Sequence, residues 1–344
     1  MRRVVRGALL AHLLLLKGEI NWSQLGCVLL LGSPWLLLSA LTQDPLWLHA
    51  SMVTMGGYIA ADRGGLNVIR SLLQLLGMVI GFGLLYATLP LPVGFTLLCA
   101  LFAVGITWLG YRSPALRSVA TFTFIPALYL ACELGSSSHS PSGTPTSFLS
   151  LLPYLLLGGL PVLLLLAIKA RLLQVLPESQ PLASISYPPL PISHLMTAGV
   201  SVALAALLVE LIHFPHGQWL IWSAASVVVG EHLASRQKFT QRASGALFGV
   251  PVGIALGMLI PPSPLLFHGL ALAILLSLVA FSRYVLGFAV RCGLTALTLT
   301  LSSGSMGMAS ERIVDVLLGG VIALVVMWAI NQGCFWYRRI HPKL

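Results

Sequence analysis

Twelve predominantly apolar runs follow one another along the chain, at about 21–42, 46–61, 66–89, 92–109, 113–133, 148–168, 193–213, 218–232, 238–260, 265–281, 284–303 and 311–331. Most approach the ~20 residues that an α-helix needs to cross a bilayer. In hydrocarbon every backbone N–H and C=O must be satisfied within the segment, so helices are the economical reading. Charge content agrees: 8% of the 344 residues are Asp, Glu, Lys or Arg, against roughly 25% in a soluble domain. A soluble globule needs a charged skin that this chain cannot supply. The fold class expected is all-α, a polytopic integral membrane protein of about twelve transmembrane helices. The second and eighth runs are short, reaching only about 22–24 Å, and must tilt, break or extend into their neighbours.

The net charge of +10 would suggest nucleic acid in a soluble protein; here it reads as Lys and Arg gathered in cytoplasmic loops. With the N-terminus inside and every run crossing once, all 19 positive residues except Arg312 fall at or near cytoplasmic ends. Both termini are then cytoplasmic. Residues 1–20 read as a retained interfacial helix, with Arg2, Arg3 and Arg6 toward anionic headgroups. A six-helix unit over 21–169, a cytoplasmic linker over 170–192, a second unit over 193–331 and a basic tail over 332–344 complete the division. Five scattered cysteines form no C-x-x-C pair and fit buried small hydrophobes.

Sliding the chain by 172 residues aligns 47–92 with 219–264 without a gap and makes ten of 46 positions identical. The matches include Trp47/Trp219, Arg70/Arg242, Gly77/Gly249, Gly81/Gly253, Pro90/Pro262 and Pro92/Pro264. Apolar composition readily supplies coincident leucines, but not this set in register. The chain therefore reads as two parallel six-helix repeats, since an even number of spans keeps both units in one orientation.

Gly77 and Gly81 in the third span, and Gly249, Gly253 and Gly257 in the ninth, stand four residues apart and suit close helix packing. Arg70 and Arg242 each precede the first of these glycines by seven residues. They read either as snorkelling anchors or as fixed positive charges on an anion path. Arg63, Arg236 and Lys238 would form the basic mouth of that path, with Arg291 and Arg117 extending it. A guanidinium grips a carboxylate with two parallel hydrogen bonds, which suits an organic acid. Glu210, Glu231 and Asp315 are acidic groups in or beside spans; each is a salt-bridge partner or a proton-coupling site. His213 and His216 bracket an outer turn without a third metal ligand at a recognisable spacing. Trp47 and Trp219 suit interface anchors. No P-loop, G-x-S-x-G or H-E-x-x-H motif is present, so neither an enzyme nor direct use of ATP is expected.

Trp219–Gly257, a tryptophan-led helix, a polar turn and an arginine before a Gly-rich helix, resembles the fusaric acid resistance and aromatic acid exporter family. Glu311–Gly320, ERIVDVLLGG, resembles that family's later Arg-x-x-Asp helix, and the first half carries a weaker copy. The resemblance extends to plant organic-anion channels. It implies an inner-membrane exporter of aromatic or other organic acids, with Arg242, Gly249 and Asp315 as the matching positions and Arg70 and Gly77 as first-half copies. Large family members carry a sizeable soluble domain that is absent between these blocks. A homodimer and a periplasmic adaptor are compatible with the sequence but not implied by it. The expected partners are a small organic anion and membrane lipids, with no nucleic acid and no cofactor or metal. An anion channel, and an envelope-assembly protein acting on lipid-linked substrates, are the alternatives.

Overall fold

The computed structural model describes residues 18–137, 148–172, 192–214, 216–228 and 232–340. These are helical almost throughout, with one isolated bridge between Ile20 and Phe281. Twelve helices follow in chain order: α1 Trp22–Thr42, α2 Leu46–Gly64, α3 Val68–Thr88, α4 Pro92–Arg112, α5 Pro114–Ser137, α6 Phe148–Leu172, α7 Ile192–Ile212, α8 Gly217–Val227, α9 His232–Leu259, α10 Pro264–Leu276, α11 Tyr284–Ser303 and α12 Met306–Ile340. Each expected apolar run has its helix. Among the described residues nine are long and apolar enough to cross a membrane; α2, α8 and α10 are not among them. The chain is a multi-pass helical membrane protein.

Local chemistry sets the boundaries. Asn67 caps α3 by accepting from the Arg70 amide at 2.9 Å, and Ser263 caps α10 by accepting from the Leu266 amide at 3.3 Å. Proline opens α4, α5 and α10, where its missing N–H is no loss. Gly65 and Gly304 end α2 and α11 with φ of 57° and 65°, a left-handed stop that glycine adopts without strain. Three lengths depart from a simple crossing. The 11 residues of α8 and the 13 of α10 span about 17 and 20 Å, whereas the 35 of α12 span about 53 Å. The hydrocarbon core is ~30 Å thick. Thus α12 projects beyond it, while α10 stops short: its expected continuation to 281 is replaced by turns from Ser277 onward.

The described residues fall into two compact units, one drawn from residues 18–42 and 241–313, the other from 43–240 and 314–340. In the second, α3 shows why one chain face meets lipid and the other protein. Ile69, Leu72, Leu73, Leu76, Ile80 and Leu84 are exposed at helical spacing, while Ser71, Gln74, Leu75, Met78, Phe82 and Leu85 are buried. Phe82, Phe95, Phe124, Leu128 and Leu220 are fully buried members of that unit's core. Small residues let its helices approach. A side chain at Gly158 on α6 would meet the Ala50 carbonyl of α2, and Thr54 donates to the Gly158 carbonyl at 2.5 Å. A side chain at Gly319 on α12 would meet the Leu220 carbonyl of α8, and Ser223 donates to the Val316 carbonyl at 2.8 Å.

In the first unit α9 and α11 run parallel, almost backbone to backbone. A Cβ at Gly249 would strike the Ala289 carbonyl, one at Gly253 the Gly293 carbonyl, and one at Gly257 the Thr300 side chain at 2.7 Å. Their partners advance along α11 as the glycines advance along α9, which fixes the parallel sense. The α3 glycines are looser: a Cβ at Gly81 would lie 3.1 Å from Phe102, and one at Gly77 3.8 Å from Thr123.

Candidate anion site

Arg242 lies in the first unit, ten residues into α9 and 2% exposed. Its guanidinium carbon sits 4.4 Å from the centre of the Phe288 ring on α11, and Nη1 donates to the Tyr284 hydroxyl at 3.2 Å. Tyr284 and Phe288 stack at 5.9 Å. Phe288 is positioned by α9 itself, because the absent side chain at Gly245 leaves room for its ring, which a Cβ would meet at 2.8 Å. Arg291, one turn further along α11, has its guanidinium carbon 5.9 Å from the same ring. Tyr284, Phe288 and Arg291 stand at i, i+4 and i+7, one face of one helix.

Arg291 is tied down by the broken helix. Its Nε donates to Ser277 Oγ at 3.3 Å and its Nη2 to the Ser277 carbonyl at 3.4 Å. Ser277 caps the C-terminus of α10, where a cation complements the negative end of the helix dipole. Arg312 of α12 is also buried, at 5%, and within electrostatic range of Arg291 together with Arg242. Among the described residues, neither Arg242 nor Arg291 forms an ion pair, and Arg242 Nε is buried without a hydrogen-bond partner. Two guanidinium groups thus rest on one neutral aromatic ring. Six residues beyond Arg242 begins an apolar groove of about 360 Å³ between α9 and α11, lined by Phe248, Val252, Leu256, Val290, Leu294 and Leu297.

The other candidates lie elsewhere. Arg63, Arg70, Arg236 and Lys238 belong to the second unit. Arg70, Arg63 and Arg236 are exposed and Lys238 is partly so; Arg63 stands 5.5 Å over the Phe122 ring. Arg70 and Arg242, identical in the repeat register, therefore sit in different surroundings. One turn beyond Arg70 on α3, Gln74 turns inward, donating to the Phe122 carbonyl and Thr123 hydroxyl at 3.3 Å each. Glu210 is partly exposed near His213. Asp315 is 1% exposed, one turn after Arg312 on α12. Glu231, nearly all of the 1–20 segment and nearly all of the 170–192 linker lie outside the described residues.

Sequence reading alone missed Tyr284, Phe288 and Ser277, and singled out Arg312 only as the one outward cation and the arginine of the Arg-x-x-Asp stretch. The first two are signalled by their helical spacing to Arg291, whereas Ser277 in an apolar run carries no mark. Arg312 was expected at the outer surface because charge counting places a residue along the membrane normal but not toward or away from the protein. The second unit holds two further polar groupings. Tyr154 donates to Asp44 at 2.6 Å and meets Trp47 edge-on at 4.8 Å. His49 pairs with Glu133 at 3.6 Å, and His216 stacks on Trp219 at 4.3 Å. Among the described residues no group of three or more His, Cys, Asp or Glu could hold a metal ion.

Residues 204–326 match the family model described as fusaric acid resistance protein-like. The matched stretch contains Arg242, Tyr284, Phe288, Arg291, Arg312 and Asp315, and it bears out the resemblance read from Trp219–Gly257 and Glu311–Gly320. No curated protein and no solved structure matches the chain.

Proposed function

We propose that this fusaric acid resistance protein-like membrane protein exports organic anions, aromatic or other carboxylic acids foremost, by gradient-driven efflux. The observation that carries the reading is Arg242, a buried cation whose side chain, among the described residues, bonds only a neutral hydroxyl and an aromatic face. Burying a charge without a counter-ion costs several kcal/mol. Ionisable residues kept at such a cost within membrane helices mark ion and substrate pathways. A carboxylate entering here would supply the missing counter-charge to Arg242 and Arg291. The Phe288 and Tyr284 rings favour an aromatic body, and the apolar groove offers it a continuation.

The membrane potential favours the direction. An inside-negative potential helps an anion leave by ~2.3 kcal/mol per charge per 100 mV. Arg63, Arg70, Arg236 and Lys238 act on this reading at the cytoplasmic surface, raising the local anion concentration. Glu210, Glu231 and Asp315 are the groups proposed for proton coupling. Twelve crossings of a bacterial inner membrane, with both termini cytoplasmic, remain part of the reading. So does the tandem repeat, supported by the recurrence of two pairings: α2 with α6 and α8 with α12 through glycine, and α3 with α5 and α9 with α11 through small residues.

Proteoliposomes loaded with a panel of aromatic and aliphatic carboxylates, and with the corresponding neutral amides, test the proposal at clamped voltage. Carboxylate efflux well above that of protein-free vesicles, without matching amide efflux, supports it. Equal release of acids and amides contradicts it.

A further inference from the structure

The loop between α10 and α11 is fastened at its middle by residues from the opposite end of the chain. Ile20 and Phe281 form an antiparallel bridge, flanked by the Asn21 amide donating to the Ala280 carbonyl and the Ser282 amide donating to the Glu19 carbonyl, each at 2.9 Å. The Glu19 carboxylate adds two contacts. It pairs with Arg283 Nε at 2.7 Å and accepts from Ser282 Oγ at 2.8 Å. Exposed ion pairs contribute little by themselves. This one is joined to a hydroxyl and two backbone hydrogen bonds, and the Glu19 side chain is 16% exposed.

The same loop supplies the partners of both guanidinium groups. Ser277, where it begins, accepts from Arg291; Tyr284, where it ends, accepts from Arg242. Most of the backbone between them is outside the helical ladders. Turn hydrogen bonds return the 277–280 amides to the end of α10, so the contacts to residues 19–21 hold the stretch 280–282 that follows, and through it help to place both arginines around Phe288.

We propose that Glu19 is a positioning residue for the Arg242–Arg291 site, acting through the 277–284 loop. Its functional consequence rests on the anion-binding reading above; its geometry does not. A pre-set pair of guanidinium groups binds an anion without first being ordered. Loosening the loop returns that ordering cost to the binding step, so affinity falls while the maximal rate changes little. A misplacement of about 1 Å costs up to ~100-fold in well-oriented sites, so about tenfold is expected here.

The test uses the full-length, reconstituted protein. First, amide hydrogen exchange over residues 277–284 is compared between the wild type and Glu19→Gln. Exchange at least tenfold faster in the variant is expected, and unchanged exchange overturns the proposal. Second, the half-saturating benzoate concentration for efflux should rise about tenfold in Glu19→Gln, with the maximal rate within twofold of wild type. The swapped pair Glu19→Arg/Arg283→Glu should restore it. In a background lacking the native cysteines, so should a disulfide between Ile20→Cys and Phe281→Cys, and reductant should abolish that rescue. Ile20 and Phe281 face each other at the non-hydrogen-bonded position of the bridge, where Cα atoms lie about 4.5 Å apart, within disulfide range. A normal half-saturation value in Glu19→Gln, or a lack of rescue by both devices, overturns the proposal. If Glu19→Gln does not fold, Ser282→Ala takes its place, with about a threefold shift expected and no shift contradictory. If the wild type moves none of the panel carboxylates, the anion reading fails while the exchange experiment still decides the role of Glu19.

Discussion

The guanidinium carbon of Arg242 rests 4.4 Å from the centre of the Phe288 ring, so a fixed charge inside a membrane protein is held by an aromatic face. Cation–π contacts of this kind contribute about 0.5–2 kcal/mol, much less than the cost of burying the charge. The arrangement leaves the arginine in want of an anion. From that imbalance comes the first prediction. Phe288→Leu should lower the thermal stability of the purified protein by about 1–3 kcal/mol and weaken benzoate efflux. A variant with normal stability and normal efflux would show that the ring neither packs nor presents the guanidinium groups.

Gly249 and Gly77 occupy the same place in the repeat register but should respond differently. A methyl at Gly249 would strike the Ala289 carbonyl, whereas one at Gly77 would lie 3.8 Å from the Thr123 methyl. Gly249→Ala should cost about 2–3 kcal/mol, seen as a lower melting temperature in detergent. Gly77→Ala should stay within about 0.5 kcal/mol of wild type. Equal effects would contradict the difference in helix spacing.

The two arginines of the repeat register provide a third contrast. Arg70 is exposed and Arg242 buried. Arg70→Gln should reduce benzoate efflux modestly, about two- to threefold at low salt, and the difference should vanish near 0.5 M salt because surface fields are screened within a few ångströms there. A salt-independent loss would place Arg70 on the substrate rather than at the surface.

The sequence carried the helices more fully than the site. All twelve apolar runs reappear as helices because hydrocarbon admits few other backbones, and the shortness of α8 was visible in its run. The early end of α10 was not, because Ser277-Leu278-Val279-Ala280-Phe281 is as apolar as a helix continuing through the bilayer. Arg242 stood out because charges are rare here. Tyr284, Phe288 and Ser277 did not, since aromatic and hydroxyl residues are ordinary in membrane helices and only tertiary packing gives them a cation to hold. Glu19 falls at the end of the segment read as an interfacial helix; its partner lies more than 260 residues further along the chain, a separation that no local pattern reports.

The proposed function turns on Arg242 binding the transported anion. Its most direct test is the efflux of benzoate from proteoliposomes containing wild type or Arg242→Gln, reconstituted at equal density and matched for thermal stability. Loss of the charge-assisted bond should cut efflux at subsaturating benzoate by at least tenfold, equivalent to about 1.5–3 kcal/mol, while the variant remains folded. Efflux equal to wild type from a folded Arg242→Gln protein would contradict the account and leave Arg242 a packing residue.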